Sequence, residues 1–205
     1  MPEDAAGLVV RDSVVDSPSA TLGLADPAPA IASGAGPSMP GPPTTLERAT
    51  VLGTVSVKEL TLATEVIFAR GASAERRQAG CVRFSYVAGD FARLPRRYCC
   101  QPELAIERAQ EAKRRAEGPA AVLTPQERGA LLARLRPAFT SVRYGRPGYA
   151  QLAPAAPDEV SEGAEDGSEM GVYQHLKQPQ RMANLRNRMS EYLPFGLTAG
   201  FIDVT

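Results

Sequence analysis

Three cysteines and one histidine are the thiol and imidazole groups of this 205-residue chain, and two of the cysteines are adjacent in "RRYCCQP". A zinc site takes four ligands, commonly two closely spaced pairs. Cys81, Cys99, Cys100 and His175 are therefore the one conceivable set. Neighbouring residues on a strand point to opposite faces, which argues against Cys99 and Cys100 holding one metal. Free thiols, buried or half-buried, are the expectation, and neither metal nor cofactor is expected. His175, in "VYQHLKQ", has no Ser or Cys motif beside it. Without a nucleophile and an orienting acid it reads as structural, and no catalytic residue is assigned.

The acidic run "DEVSEGAEDGSE" sets Asp158, Glu162, Gly163, Asp166 and Glu169 at positions 1, 5, 6, 9 and 12 of a conceivable calcium loop. Val160 at position 3 cannot ligate, so a solvated acidic loop is the better reading. A third set has more to offer. Arg76, Arg77, Arg83, Arg93, Arg96 and Arg97 flank Phe84, Tyr86, Phe91 and Tyr98. Arginines among aromatics grip single-stranded nucleic acid by stacking and phosphate contact. The same side chains also pair with acids of a neighbouring rung or subunit while their stems cover rings. The second use is favoured, with Arg76, Arg77, Arg83, Arg96, Arg97 and Tyr98 as the candidate interaction residues.

What must position these groups is a set of short strands. "GLVVRDSVVDS" places Leu8, Val10, Val14 and Val15 around a polar corner, and "LTLATEVIFAR" does so with Leu60, Leu62, Val66 and Ile67. Between them Leu46, Val51, Val55, Val57 and Leu60 come in short alternating bursts. Short β-branched strands between small or polar corners fit a stacked repeat. The expected fold is mainly β, a short right-handed parallel β-helix of few rungs with an inserted helical hairpin and a C-terminal helix. In "CVRFSYV" alternation predicts Val82, Phe84 and Tyr86 facing inward and Arg83 outward.

Residues 1–17 then form a partial rung, 18–45 a loop, 46–100 the solenoid, 101–137 the hairpin, and 138–205 a strand, an acidic loop, a helix and a tail. The loop assignment rests on "PSATLGLADPAPAIASGAGPSMPGPP", a Pro-, Gly- and Ala-rich stretch with no sustained apolar period. In the hairpin, Gly118 and Pro119 stop the first helix, and Thr124, Pro125 and Glu127 supply the cap, first turn and capping box of the second. "FTSVRYG" reads as a strand. "QPQRMANLRNRMSEYL" reads as a helix with a Met182, Leu185, Met189, Leu193 stripe that ends before Pro194.

Formal charge is balanced at 23 basic against 23 acidic residues. The balance hides a basic middle, with eighteen Lys/Arg against ten acids in residues 46–150, between acidic ends. Contact within or between copies explains this better than nucleic acid, which rarely selects a neutral protein. "MPEDAAGLVV" lacks the basic start of a secretory leader, and no apolar run approaches the roughly 20 residues that span a bilayer. A cytoplasmic location without membrane association is expected.

The blocks "ERRQAGCVRFSYV", "PRRYCCQPELA", "FTSVRYGRPGYAQL" and "DGSEMGVYQHLKQPQRMANLRNRMSEYLPFGLTAGFIDVT" together resemble the C-terminal part of large bacterial β-helix proteins. Those proteins accompany contractile, phage-tail-like injection systems. The resemblance spans roughly residues 46–205. It implies a non-enzymatic structural or adaptor module, a fragment of a larger β-helix protein, with protein partners in an assembly. An open solenoid end also invites self-association. Two other readings stand beside it. One is a carbohydrate-active enzyme, for which Asp90 with Glu65 or Glu75 are the first carboxylates. The other is single-stranded nucleic-acid binding through the arginines.

Overall fold

The computed structural model describes residues 6–17, 29–34, 39–89, 91–198 and 200. Among the described residues twelve short strands, all paired in parallel, form three sheets with the orders β1-β4-β7-β10-β12, β11-β8-β5-β2 and β3-β6-β9. The chain visits the three sheets in rotation. Rung 1 is β1 (Leu8–Arg11), β2 (Val14–Val15) and β3 (Pro29–Ile31); rung 2 is β4 (Thr44–Glu47), β5 (Thr50–Val51) and β6 (Thr54–Val57). Rung 3 is β7 (Leu60–Thr64), β8 (Ile67–Phe68) and β9 (Ala72–Ala74). Rung 4 is β10 (Cys81–Arg83) and β11 (Tyr86–Val87), with a 3₁₀ turn at Phe91–Arg93 where its third side would lie, and β12 (Arg96–Tyr98) opens rung 5.

Leu46, Val51, Val55, Val57, Leu60, Phe68, Val82 and Val87 are buried in one cluster inside the coil. The second sheet is buried on its outer face as well, where Ile67 and Tyr86 join Leu152, Ala156, Val160 and Met170. Burial on both faces explains why its strands carry adjacent apolar residues such as Ile67-Phe68 and Tyr86-Val87 instead of alternating.

One corner repeats in every rung. Between the first and second sheets, Asp12, Arg48, Glu65, Phe84 and Cys99 all adopt positive φ, between 46° and 56°. Their amides reach the next rung: Asp12 N–H donates to Glu47 O, Arg48 to Thr64 O, Glu65 to Arg83 O and Phe84 to Tyr98 O. Left-handed backbone is costly for L-residues, and these cross-rung bonds offset it. The corner also corrects the reading of "CVRFSYV". Two short strands meet at Phe84, the period resets, and Val82, Ser85 and Val87 are buried while Phe84 is half-buried and points out of the core. Tyr86 is buried on the outer face rather than inside the coil.

The helical hairpin is α1 (Glu103–Glu117) and α2 (Pro125–Arg134). Thr124 and Glu127 form the expected reciprocal cap on α2, and Lys113 Nζ joins the helices by donating to Glu127 at 2.7 Å. A single helical turn, α3 (Asp158–Ser161), interrupts the acidic segment, and α4 (Gln178–Tyr192) follows.

Two expectations about loops are overturned. Residues 29–31, inside the stretch read as a loop, form β3 and pair with β6, because Ile31 is buried in the coil and completes the third side of rung 1. Residues 18–28 and 35–38 of that stretch lie outside the described residues. "FTSVRYG" forms no strand. It makes isolated bridges, Phe139 with Leu152 and Ser141 with Tyr149, around a turn where Gly145 and Gly148 take positive φ. Two glycines in a short span favour the turn over a ladder.

Candidate functional site

The predicted arginine set divides by rung and partner. In the first sheet the inward register runs Val10, Leu46, Ala63, Val82 and then Arg97. Arg97 therefore stands where an apolar side chain fills every earlier rung. Glu103, in the first turn of α1, meets it with bonds of 2.6 Å to Nε and 2.8 Å to Nη2. Nη1 donates to Phe91 O at 3.1 Å, and the guanidinium lies 5.9 Å from the Phe91 ring. Pairing holds the Arg97 guanidinium above its ordinary pKa. Arg97 thus closes the end of the coil.

The other members do separate work. Arg83 faces outward as expected, donating to Thr64 Oγ1 at 3.2 Å and lying 3.8 Å from Glu165. Arg76 is 3.6 Å from Glu59, and Arg77 donates to Ala92 O at 3.0 Å. Tyr98 is 61% exposed and meets Phe84 edge to face, with ring centroids 5.6 Å apart. Arg96 is exposed. Four of the five arginines thus bind protein oxygens.

At the other end the charges cross. Arg11 pairs with Glu47 at 3.0 Å, and Arg48 pairs with Asp12 at 2.6 Å. Rungs 1 and 2 each carry one acid and one base at this corner, in opposite order, so stacking brings unlike charges together. The Arg48 bond holds Asp12 below the usual carboxylate range.

The segment from Tyr149 to His175 straps the coil. Tyr149 Oη donates to Asp16 of rung 1 at 2.7 Å. Val172 N–H donates to Thr50 Oγ1 of rung 2 at 3.1 Å. Gly171 N–H donates to Glu65 O of rung 3 at 2.8 Å, and Glu165 N–H to the Glu65 carboxylate at 3.3 Å. Met170 covers the outer face near Tyr86 of rung 4. The strap buries two carboxyls that sequence reading did not single out for this environment. Burial pushes Glu65 up against the backbone bond from Glu165, and burial alone pushes Glu169 to about 7.

Glu65 therefore lies under the strap, not in an open groove, and Glu75 is exposed on rung 3; Asp90 is outside the described residues. In the acidic run Asp166 accepts from Lys177 and Gln174 and from the Ser168 hydroxyl and amide. Burial raises its pKa, but these donors outweigh burial and hold it below the usual range. The run is consumed in structural contacts, with Asp158 at the start of α3. Cys100 is buried with Sγ on Val82 O and Tyr98 O, while Cys81 and Cys99 are half-buried. His175 Nδ1 lies 3.1 Å from Val172 O. Among the described residues no three His, Cys, Asp or Glu side chains converge as a metal site would require, and no helix is long and apolar enough to cross a membrane.

Beyond the strap, α4 meets the body in its first turn, where Gln180 Nε2 donates to Asp166 O at 3.2 Å. None of its described side chains is buried; Leu185 is 44% exposed and Tyr192 82%. Met182, Leu185, Met189 and Leu193 recur at helical spacing, with Arg181, Arg186 and Arg188 exposed around them. Phe195 and Leu197, just beyond Pro194, are exposed as well. After α4 the chain turns at Phe195-Gly196, and residues 199 and 201–205 of the tail lie outside the described residues.

Comparison of the chain with protein families, with curated proteins and with solved structures finds no match.

Proposed function

We propose that this protein is a non-enzymatic adaptor module whose coil is a right-handed parallel β-helix serving as a rigid platform, and whose C-terminal helix docks a protein partner. The observation that carries the reading is the apolar stripe of α4, in which Leu185 is exposed and Met182, Met189 and Leu193 are only half-buried. An isolated helix of this length is marginal in water, and anchors at i, i+3 and i+7 are the pattern by which a helix seats in a partner's groove. Strand-to-parallel-strand connections in one sheet are right-handed in nearly every known case, which supports the handedness. The resemblance of the C-terminal blocks to proteins of contractile injection systems suggests the assembly.

Tagged full-length chain and a Leu185→Glu, Met189→Glu variant, each expressed in the native host, test it by cross-linking and mass spectrometry. Sheath, tube or baseplate proteins captured by the first and lost by the second support the reading. Equal capture by both, or turnover of a polysaccharide abolished by Glu65→Gln or Glu75→Gln, overturns it.

A further inference from the structure

A cleft of about 270 Å³ opens between the coil and the chain that leaves α2. One wall is Leu52 and Arg70, which follow β5 and β8 where the chain turns toward the third sheet. The opposite wall is Arg136, Pro137, Phe139 and Val142. Leu135, fully buried, anchors the turn that presents Arg136, and the Phe139–Leu152 bridge holds Phe139 in place. The turns that follow two strands of the coil face a bridged turn here, and the volume falls just below the roughly 300 Å³ at which ligand pockets begin.

Its chemistry is divided. Leu52, Pro137, Phe139 and Val142 offer apolar surface, while Arg70 and Arg136 are both exposed. Among the described residues neither guanidinium has an ion pair or a side-chain hydrogen bond, although the neighbouring Arg134 is paired with Glu159 at 2.6 Å. Tyr86 lies near enough that the Arg136 charge opposes the upward shift that burial gives its phenol. Two guanidiniums line one cleft, and a planar carboxylate is the anion that accepts directed hydrogen bonds from such groups.

We propose that this cleft binds a carboxylate borne on a compact apolar body, with Arg70 and Arg136 holding the carboxylate and Phe139, Leu52 and Val142 enclosing the body. The site is separate from α4, so it stands or falls apart from the adaptor reading. Carboxylate chemistry of this kind comes from a free small acid or from the C-terminus of a peptide ending in an apolar residue.

The test is amide NMR titration of the full chain with 3-phenylpropionate, its neutral amide, acetate, and N-acetyl-Ala-Phe with a free or an amidated C-terminus. The expected result is saturable shifts at residues 52, 70, 136 and 138–142 with 3-phenylpropionate, and binding at least about tenfold weaker for its amide and for acetate. Arg70→Met and Arg136→Met should each weaken binding about fivefold or more, while Arg143→Met leaves it unchanged; all three sites are exposed, and thermal melts of each variant confirm folding. Tighter binding of the free-terminus peptide assigns the ligand to a chain end, and tighter binding of 3-phenylpropionate assigns it to a small acid. Acetate binding as well as 3-phenylpropionate, both arginine variants binding like the parent, or no saturation by about 10 mM would overturn the proposal.

Discussion

Arg97 occupies in rung 5 the inward register that Val82 holds in rung 4, and Glu103 of the following helix grips its guanidinium through two bonds. An ion pair thus ends an apolar column at the point where the chain changes from strand to helix. Both partners are a little over one quarter exposed, so solvent weakens the attraction without abolishing it. Arg97→Met should cost about 1–2 kcal/mol, much of it from leaving Glu103 half-buried without its partner. Adding Glu103→Ala should recover part of that loss. Urea unfolding of the two single variants and the double variant measures the coupling, and strict additivity would refute it.

Gly80 and Gly89 share a φ of +91°, but a Cβ at Gly80 would stand 1.9 Å from Leu60 O, whereas at Gly89 nothing lies within 4 Å. The pair separates close approach from backbone strain. Gly89→Ala should cost about 1–2 kcal/mol for left-handed backbone alone. Gly80→Ala should cost at least about 4 kcal/mol, because the main chains of β7 and the turn before β10 must part. Equal losses in denaturant unfolding would contradict this explanation.

Glu169 is buried, and its pKa is raised from 4.5 to about 7 by burial. The folded state therefore holds its proton over a range in which the unfolded chain has released it. The contribution is fully present below pH 4.5 and is lost as pH rises through about 7. Glu169→Gln should raise stability at pH 8 by about 1 kcal/mol, or about 2–4 °C in Tm, and should have little effect at pH 4. Thermal melts from pH 4 to 8 check the sign; a variant less stable than the parent at pH 8 would show that the ionised form is accommodated.

The three thiols should react in order of burial. Cys100 is held by two carbonyls, and burial pushes its pKa to about 11, so little thiolate is present at pH 8. Iodoacetamide under native conditions should modify Cys81 and Cys99 well before Cys100, and denaturant should equalise all three. Peptide mapping over time reads the order directly.

Apolar spacing in residues 46–62 is sufficient to place the core of rungs 2 and 3, since Leu46, Val51, Val55, Val57 and Leu60 all point inward. Local chemistry is likewise sufficient for the helices: the Thr124 capping box, Gly118 and Pro194 stand at or next to observed ends. The repeated corner was hidden. An Asp, an Arg, a Glu, a Phe and a Cys share one backbone conformation because bonds to the adjacent rung impose it, so no residue type marks it. β3 was hidden for a related reason: in a Pro- and Ala-rich stretch, Ile31 is a single apolar residue whose partner β6 lies in the next rung. The role of Arg97 was equally inaccessible, because an arginine facing a core is indistinguishable from one facing solvent until the rung above it is known to be the last covered by another. The cleft required residues from 52 to 142 to meet, which only the path of the chain after α2 reveals.

Stacked rungs that touch only their neighbours behave as a one-dimensional array, in which end units fray and regain structure independently. The strap changes that behaviour. By bonding Asp16, Thr50 and Glu65 in successive rungs and covering Tyr86 in a fourth, it makes the loss of any one rung a disturbance to all. Melting should therefore be a single cooperative event, and folding should be slow for so short a coil, because contacts between sequence-distant segments must form before the array locks. A ribosome releasing this chain from its N-terminus delivers four rungs before the segment that binds them together.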